Sequence, residues 1–176
     1  MSIDQLLAAM DEVLEQGEAL LTGLSDAQYA HCVPQGGSIG AHYRHSLEHF
    51  QILFGAVKGS HIDYDRRARD ARLETERLAA LKATRDFRET AHFLATLSPE
   101  RPIEARSKIS YASSGPCAAP STVGREIMYA ISHAIHHHAL IAMICGMRKI
   151  AVPAEFGAAP STIAYQKEQI TARRFA

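Results

Sequence analysis

The chain has 176 residues, 19 Lys and Arg against 19 Asp and Glu, and a formal net charge of zero. That length suits one domain, residues 1–176, with a sizeable core, and the charge balance gives no electrostatic reason to expect nucleic acid or an anionic membrane as partner. The polar, acidic start Met1-Ser2-Ile3-Asp4-Gln5 is unlike a signal peptide, and no uninterrupted apolar run approaches the ~20 residues that span a bilayer.

Ser2 and Gln5 have the spacing of a capping box. Behind them Ile3, Leu6, Leu7, Met10, Val13, Leu14, Leu20, Leu21 and Leu24 recur at helical spacing and predict a helix with one buried face. Ser25-Asp26-Ala27-Gln28 starts a second, short turn of helix that Pro34 stops, and Gly36-Gly37 loosens the chain before Ser38. A main helix runs from Ser38 to about Val57, with His42, His45 and His49 within about a sixth of its circumference. Lys58–Asp70 reads as a loop. The five acids and five arginines between Asp63 and Arg77 read as a solvated, self-neutralising surface, with closure of Tyr64, Asp65 or Arg66 over one end of the fold as the functional alternative.

Asp70 to about Leu97 reads as a third long helix, buried along Leu73, Ala80, Ala83, Phe87, Leu94 and Leu97, with His92 on the opposite, surface side. Pro99 and Pro102 end it, and Ile103–Pro120 reads as irregular. Ser121 is the expected N-cap of a last long helix ending near Gly146, followed by an irregular tail from about Arg148 with a short helix from Ser161. Four long helices without a convincing strand predict an all-α four-helix bundle.

Seven of the ten histidines fall in two segments. On the last long helix His133 and His137 are four residues apart and share a stripe with Glu126, Tyr129, Leu140 and Ile144; His136 lies at its edge and His138 points away. Buried imidazoles are costly without a partner, and a metal ion is one partner that suits them. A third ligand comes from the other histidine stripe, His42, His45 or His49, among which spacing does not choose. Three imidazoles would leave coordination positions open to water or substrate, the arrangement of catalytic sites, where an ion activates water or a thiol and polarises an electrophile. Glu126 and Glu48 are weak candidates for an acid or base beside it, each also readable as a surface carboxylate. A di-iron bundle fits poorly, because its Glu-x-x-His signature occurs only as Glu89/His92, off the apolar stripe. Cys32, Cys117 and Cys145 form no CxxC pair and read as packing residues of a protein in a reducing, cytoplasmic setting.

Ser38-Ile39-Gly40-Ala41-His42-Tyr43-Arg44-His45, followed by Arg125-Glu126 and Ser132-His133-Ala134-Ile135-His136-His137, resembles the DinB/YfiT-like superfamily, and the order of helices extends the likeness to nearly the whole chain. The resemblance implies a four-helix bundle with a divalent metal, often nickel or zinc, held by three histidines. It selects His45, seven residues after Ser38, and the His133/His137 pair as ligands. It also implies metal-dependent hydrolase or thiol-dependent transferase chemistry on a small-molecule substrate, with a low-molecular-weight thiol as cosubstrate, and a homodimer. The competing expectation is a non-catalytic, stress-linked module that binds a metal or small molecule. A third is a structural bundle whose histidines are only hydrogen-bonded.

Overall fold

A computed structural model describes residues 2–112 and 114–174. The fold is mostly helical, with two small sheets. Helix α1 (Ile3–Gly23) starts at the capping box: the Ser2 side chain accepts from the Gln5 N–H and the Gln5 side chain from the Ser2 N–H. The short α2 (Asp26–Ala30) starts at a second such box, formed by Ser25 and Gln28. A two-stranded hairpin, β1 (Cys32–Val33) and β2 (Gly37–Ser38), then reverses the chain. It uses Gln35 and Gly37 at positive φ, where Gly37 adopts the left-handed turn without steric cost. Ser38 caps α3 (Ile39–Ala56) by accepting from the Ala41 N–H.

The long helices pack in pairs: α1 and α3 each lie against α6 (Val123–Met147) and against α5 (Arg77–Thr90). Met10, Leu20, Leu21, Tyr43, Leu47, Phe50 and Ile127 fill the space between them. Tyr43 reaches across the core to α5, where its hydroxyl meets Thr84 Oγ1 at 2.9 Å. On the outer side Arg88 pairs with Asp11 and Glu18, and Arg85 with Glu18, tying α5 to α1. By length and composition α6 also matches a membrane-crossing helix, but here Ile127, Ala130, Ala134, Ile141 and Ile144 bury one of its faces in the core.

Several expectations are corrected. The segment after α3 is not wholly loop: β3 (His61–Asp63) pairs in parallel with β4 (Pro102–Ser107). The stretch 103–120 is not wholly irregular either, because β4 pairs antiparallel with β5 (Cys117–Thr122). β5 contains Pro120, which removes a ladder donor, and it is tolerated because β5 is the outer strand of the order β3-β4-β5. The third helix is three pieces: α4 (Ala71–Thr75), a break at Glu76, α5, and a 3₁₀ turn over Ala91–Thr96. The cap of α6 is Thr122, which accepts from the Arg125 N–H; the Ser121 hydroxyl goes elsewhere. In the tail, α7 (Pro160–Arg174) takes the place of the expected short helix. Of the cysteines only Cys145 is buried; Cys32 and Cys117 are exposed.

Gly40 sits where α3 crosses the end of α4. A Cβ there would collide with the Glu74 carbonyl oxygen and lie 2.8 Å from Tyr29 Cε1. Gly→Ala inside a helix normally stabilises by about 1 kcal/mol. Gly40→Ala is expected to destabilise instead, by about 2 kcal/mol from overpacking, in urea unfolding. A gain in stability would mean that α4 moves aside freely.

Candidate metal centre

Helices α3 and α6 lie side by side, and the histidine stripes of both meet at their seam. Ring centres of His45 and His133 stand 5.0 Å apart, those of His45 and His137 4.6 Å, and those of His133 and His137 4.6 Å. His49 joins the group 3.8 Å from His133 and 4.8 Å from His45. The nitrogens of His45, His49 and His133 all come within 4.8 Å of one another. His42 stands at the edge, against His137. His136 is exposed. His138 lies on the other side of α6, stacked on Phe156 at 4.4 Å.

The hydrogen bonds assign the tautomers, because a carbonyl can only accept. His42 Nε2 donates to the Gly36 carbonyl at 2.8 Å, so its Nδ1 accepts from His137 Nδ1, 3.2 Å away. His49 Nδ1 donates to the His45 carbonyl at 2.9 Å. His137 and His49 therefore both keep Nε2 as a free lone pair, with the other nitrogen fixed by an outer partner as ligand histidines require. His133 Nε2 is buried without any partner. An orphaned buried nitrogen among neutral imidazoles is what a metal ion would satisfy.

Burial holds these rings neutral. It lowers His45 to about 4 and His133 and His137 to about 3, with neighbouring imidazoles adding to the effect and Arg67 and Arg44 contributing at His45. Burial alone lowers His138 to about 4. The unfolded chain takes up protons near the ordinary histidine value of about 6.5, whereas the fold refuses them until near 4 or below. These groups therefore leave stability whole above pH ~6.5 and remove it as the pH falls towards 4. Each costs at most about 1.4 kcal/mol per pH unit, and less for the partly exposed rings of His45 and His133, where solvent screens the charge. Melts of metal-free protein are expected to be level between pH 8 and 7 and to fall steeply from 6 to 4.5. A level curve throughout would mean that the rings are solvated.

Neither candidate carboxylate is a surface group. Glu126 is fully buried at the start of α6 and accepts from the Tyr64 hydroxyl at 2.5 Å, the Ser121 hydroxyl at 2.5 Å and Arg125 at 3.0 Å. Glu48, 1% exposed, stands 3.6 Å from Arg67 Nε and 3.9 Å from Arg44 Nε. Of the loop residues considered for closing over one end, Tyr64 comes closest: its N–H bonds the Arg106 carbonyl, continuing the β3–β4 ladder, and its ring stacks on His49 at 5.4 Å. Arg66 pairs with Asp63 at the surface, and Asp65 accepts from the Lys108 N–H. Arg67 was hidden in what read as a surface charge run. The paired function of His42 was missed too, because only the fold brings Gly36 and His137 to it.

These features define a class: a mostly helical protein with a candidate three-histidine metal site at the seam of two helices. The DinB superfamily model matches residues 9–141, and the chain belongs to that superfamily. It is also similar to FK506-binding protein 5 of Rhizopus delemar, 34% identical over 108 residues that make up 61% of this chain. The match spans only 28% of that protein's length. No solved structure matches the chain.

Proposed function

We propose that α1, α3, α5 and α6 form a four-helix bundle in which His45, His133 and His137 hold a divalent ion, nickel or zinc, for hydrolase or thiol-transferase chemistry on a small molecule. What supports this ligand set is ring spacing. With metal–nitrogen bonds of about 2.1 Å, two imidazoles sharing an ion at tetrahedral or octahedral angles have centres about 4.6–5.3 Å apart. The three distances within this set are 5.0, 4.6 and 4.6 Å. Nitrogen proximity favours His49 instead, but the 3.8 Å between the ring centres of His49 and His133 is too short for two imidazoles on one ion. His49 then serves as packing beside the ion, and His42 as the group that orients His137.

When bound, the ion would supply an electrophilic centre that lowers the pKa of a coordinated water or thiol. The protein's own groups do the rest. Tyr64 and Tyr129 cover His49 and His133 with their rings and keep bulk water from that side. Tyr64 donates its hydroxyl proton to Glu126 at 2.5 Å; burial and the Glu126 carboxylate both push the phenol up from its ordinary value, so Tyr64 keeps its proton and holds the carboxylate in place rather than acting as an acid. Arg67 faces His45 and His49 electrostatically and would orient an anionic group of the substrate.

The test compares metal-free protein with zinc- or nickel-loaded protein in two arms, glutathione with unsaturated electrophiles and activated esters alone. Turnover in one arm, dependent on metal and absent from His133→Ala, is expected. Turnover indifferent to metal, or none in either arm, would sink the enzymatic reading.

A further inference from the structure

Beyond the tyrosines lies a cavity of about 380 Å³ between the β3–β4–β5 sheet and the first turns of α6, within the size range of small-molecule sites. We propose that it binds small carboxylates with a flat apolar body, their carboxylate at Arg125 and their body between the sheet and the Tyr129 ring. The sheet side offers Ala105, Ala118 and Pro120, small groups that leave room for a flat molecule. The opposite side offers the rings of Tyr64 and Tyr129, which lie 4.9 Å apart.

Charge decides the class. Glu126 is the acid that lines the cavity, and its oxygens already take three donors, from Tyr64, Ser121 and Arg125. It has little acceptor capacity left for a cationic ligand. Two arginines, Arg106 and Arg125, line the same cavity. Arg125 spends one nitrogen on Glu126 and lies 5.4 Å over the Tyr129 ring, with its side chain 61% exposed. That leaves further N–H groups on a guanidinium held at Glu126, a donor set suited to two parallel bonds with a carboxylate. A molecule seated there lies along the Tyr129 ring, whose other neighbour is His133 at 5.7 Å. The inference rests on the metal reading only in making this the substrate's seat; anion binding itself requires no ion.

Cys117 lines this cavity and is exposed, while Cys32 is exposed elsewhere, so alkylation of the two thiols supplies a local readout with an internal control. Full-length protein is treated with iodoacetamide in the presence of 2-naphthoate or its neutral amide, and modification at each cysteine is followed by peptide mass spectrometry. The expected result is at least fivefold slower alkylation of Cys117 with 2-naphthoate, no change at Cys32, and no protection by the amide. Arg125→Gln should raise the concentration needed at least tenfold, with Arg106→Gln a smaller second case whose fold is checked by melting. His133→Ala, which tests the metal site, should keep the protection, so failure of one reading leaves the other standing. Equal protection by the amide, slowing of both cysteines together, or no protection would overturn the proposal.

Discussion

His45→Ala, His133→Ala and His137→Ala are each expected to strip the protein of stoichiometric metal, while His49→Phe keeps about one ion per chain. Each of the first three removes a ring whose centre stands at the spacing of a shared ion. Loss of a ligand should weaken binding by more than the 10–100-fold that loss of an outer partner costs. His42→Phe should fall within that lower range, because it removes the acceptor that holds the His137 Nδ1–H without removing a ligand. The measurement is elemental mass spectrometry on untagged protein, with affinity from competition against a chromophoric chelator. The reverse pattern, metal lost from His49→Phe and kept by His137→Ala, would make His49 the third ligand and discard the ring-spacing argument. Metal kept by all four variants would place the ion elsewhere.

How much of this was legible beforehand depends on how local the cause was. The cap at Ser2 and the helix starts at Ser25 and Ser38 were readable because a side chain there satisfies a backbone N–H three residues on. The histidine faces were readable because helical period alone places His45 and His49, and His133 and His137, on shared stripes. The break at Glu76 was not, since no Gly or Pro marks it. It is made by distant groups: the Leu73 carbonyl takes the Tyr29 hydroxyl, Glu74 takes Arg44, and Arg77 reaches Asp26 and the Leu21 carbonyl. Strand β5 was hidden because its two alanines and one proline are poor strand formers, and its pairing depends on β4 beside it. Glu48 was ambiguous for the same reason. A carboxylate three residues after His45 is buried or exposed according to where the chain beyond β3 travels, and that path brings Arg67 back onto it.

That burial makes Glu48→Gln a costly charge change, with an expected loss of about 3 kcal/mol in urea unfolding. The substitution keeps shape and removes charge. Arg44 retains Glu74 at 2.5 Å, so its loss is partial. Among the described residues Arg67 retains only the Tyr64 carbonyl, at 2.8 Å through Nη1, and its Nε, already without a hydrogen bond, is left facing a neutral amide. A guanidinium only 22% exposed is poorly solvated, so the uncompensated charge is felt in full. The double variant Glu48→Leu/Arg67→Met removes both charges and should lose clearly less than the sum of its single substitutions. Additive losses, or a single-variant effect below about 1 kcal/mol, would place the pair with the solvent-screened ion pairs of the surface. The same substitution reaches the metal centre, because Arg67 is among the charges acting on His45 and His49. With Glu48 neutral, Arg67 opposes a dication uncompensated, so metal affinity should fall in Glu48→Gln and recover in the double variant. A cavity or a local loosening would not be repaired by deleting a second side chain. Recovery would therefore assign Glu48 the task of neutralising Arg67 beside the ion.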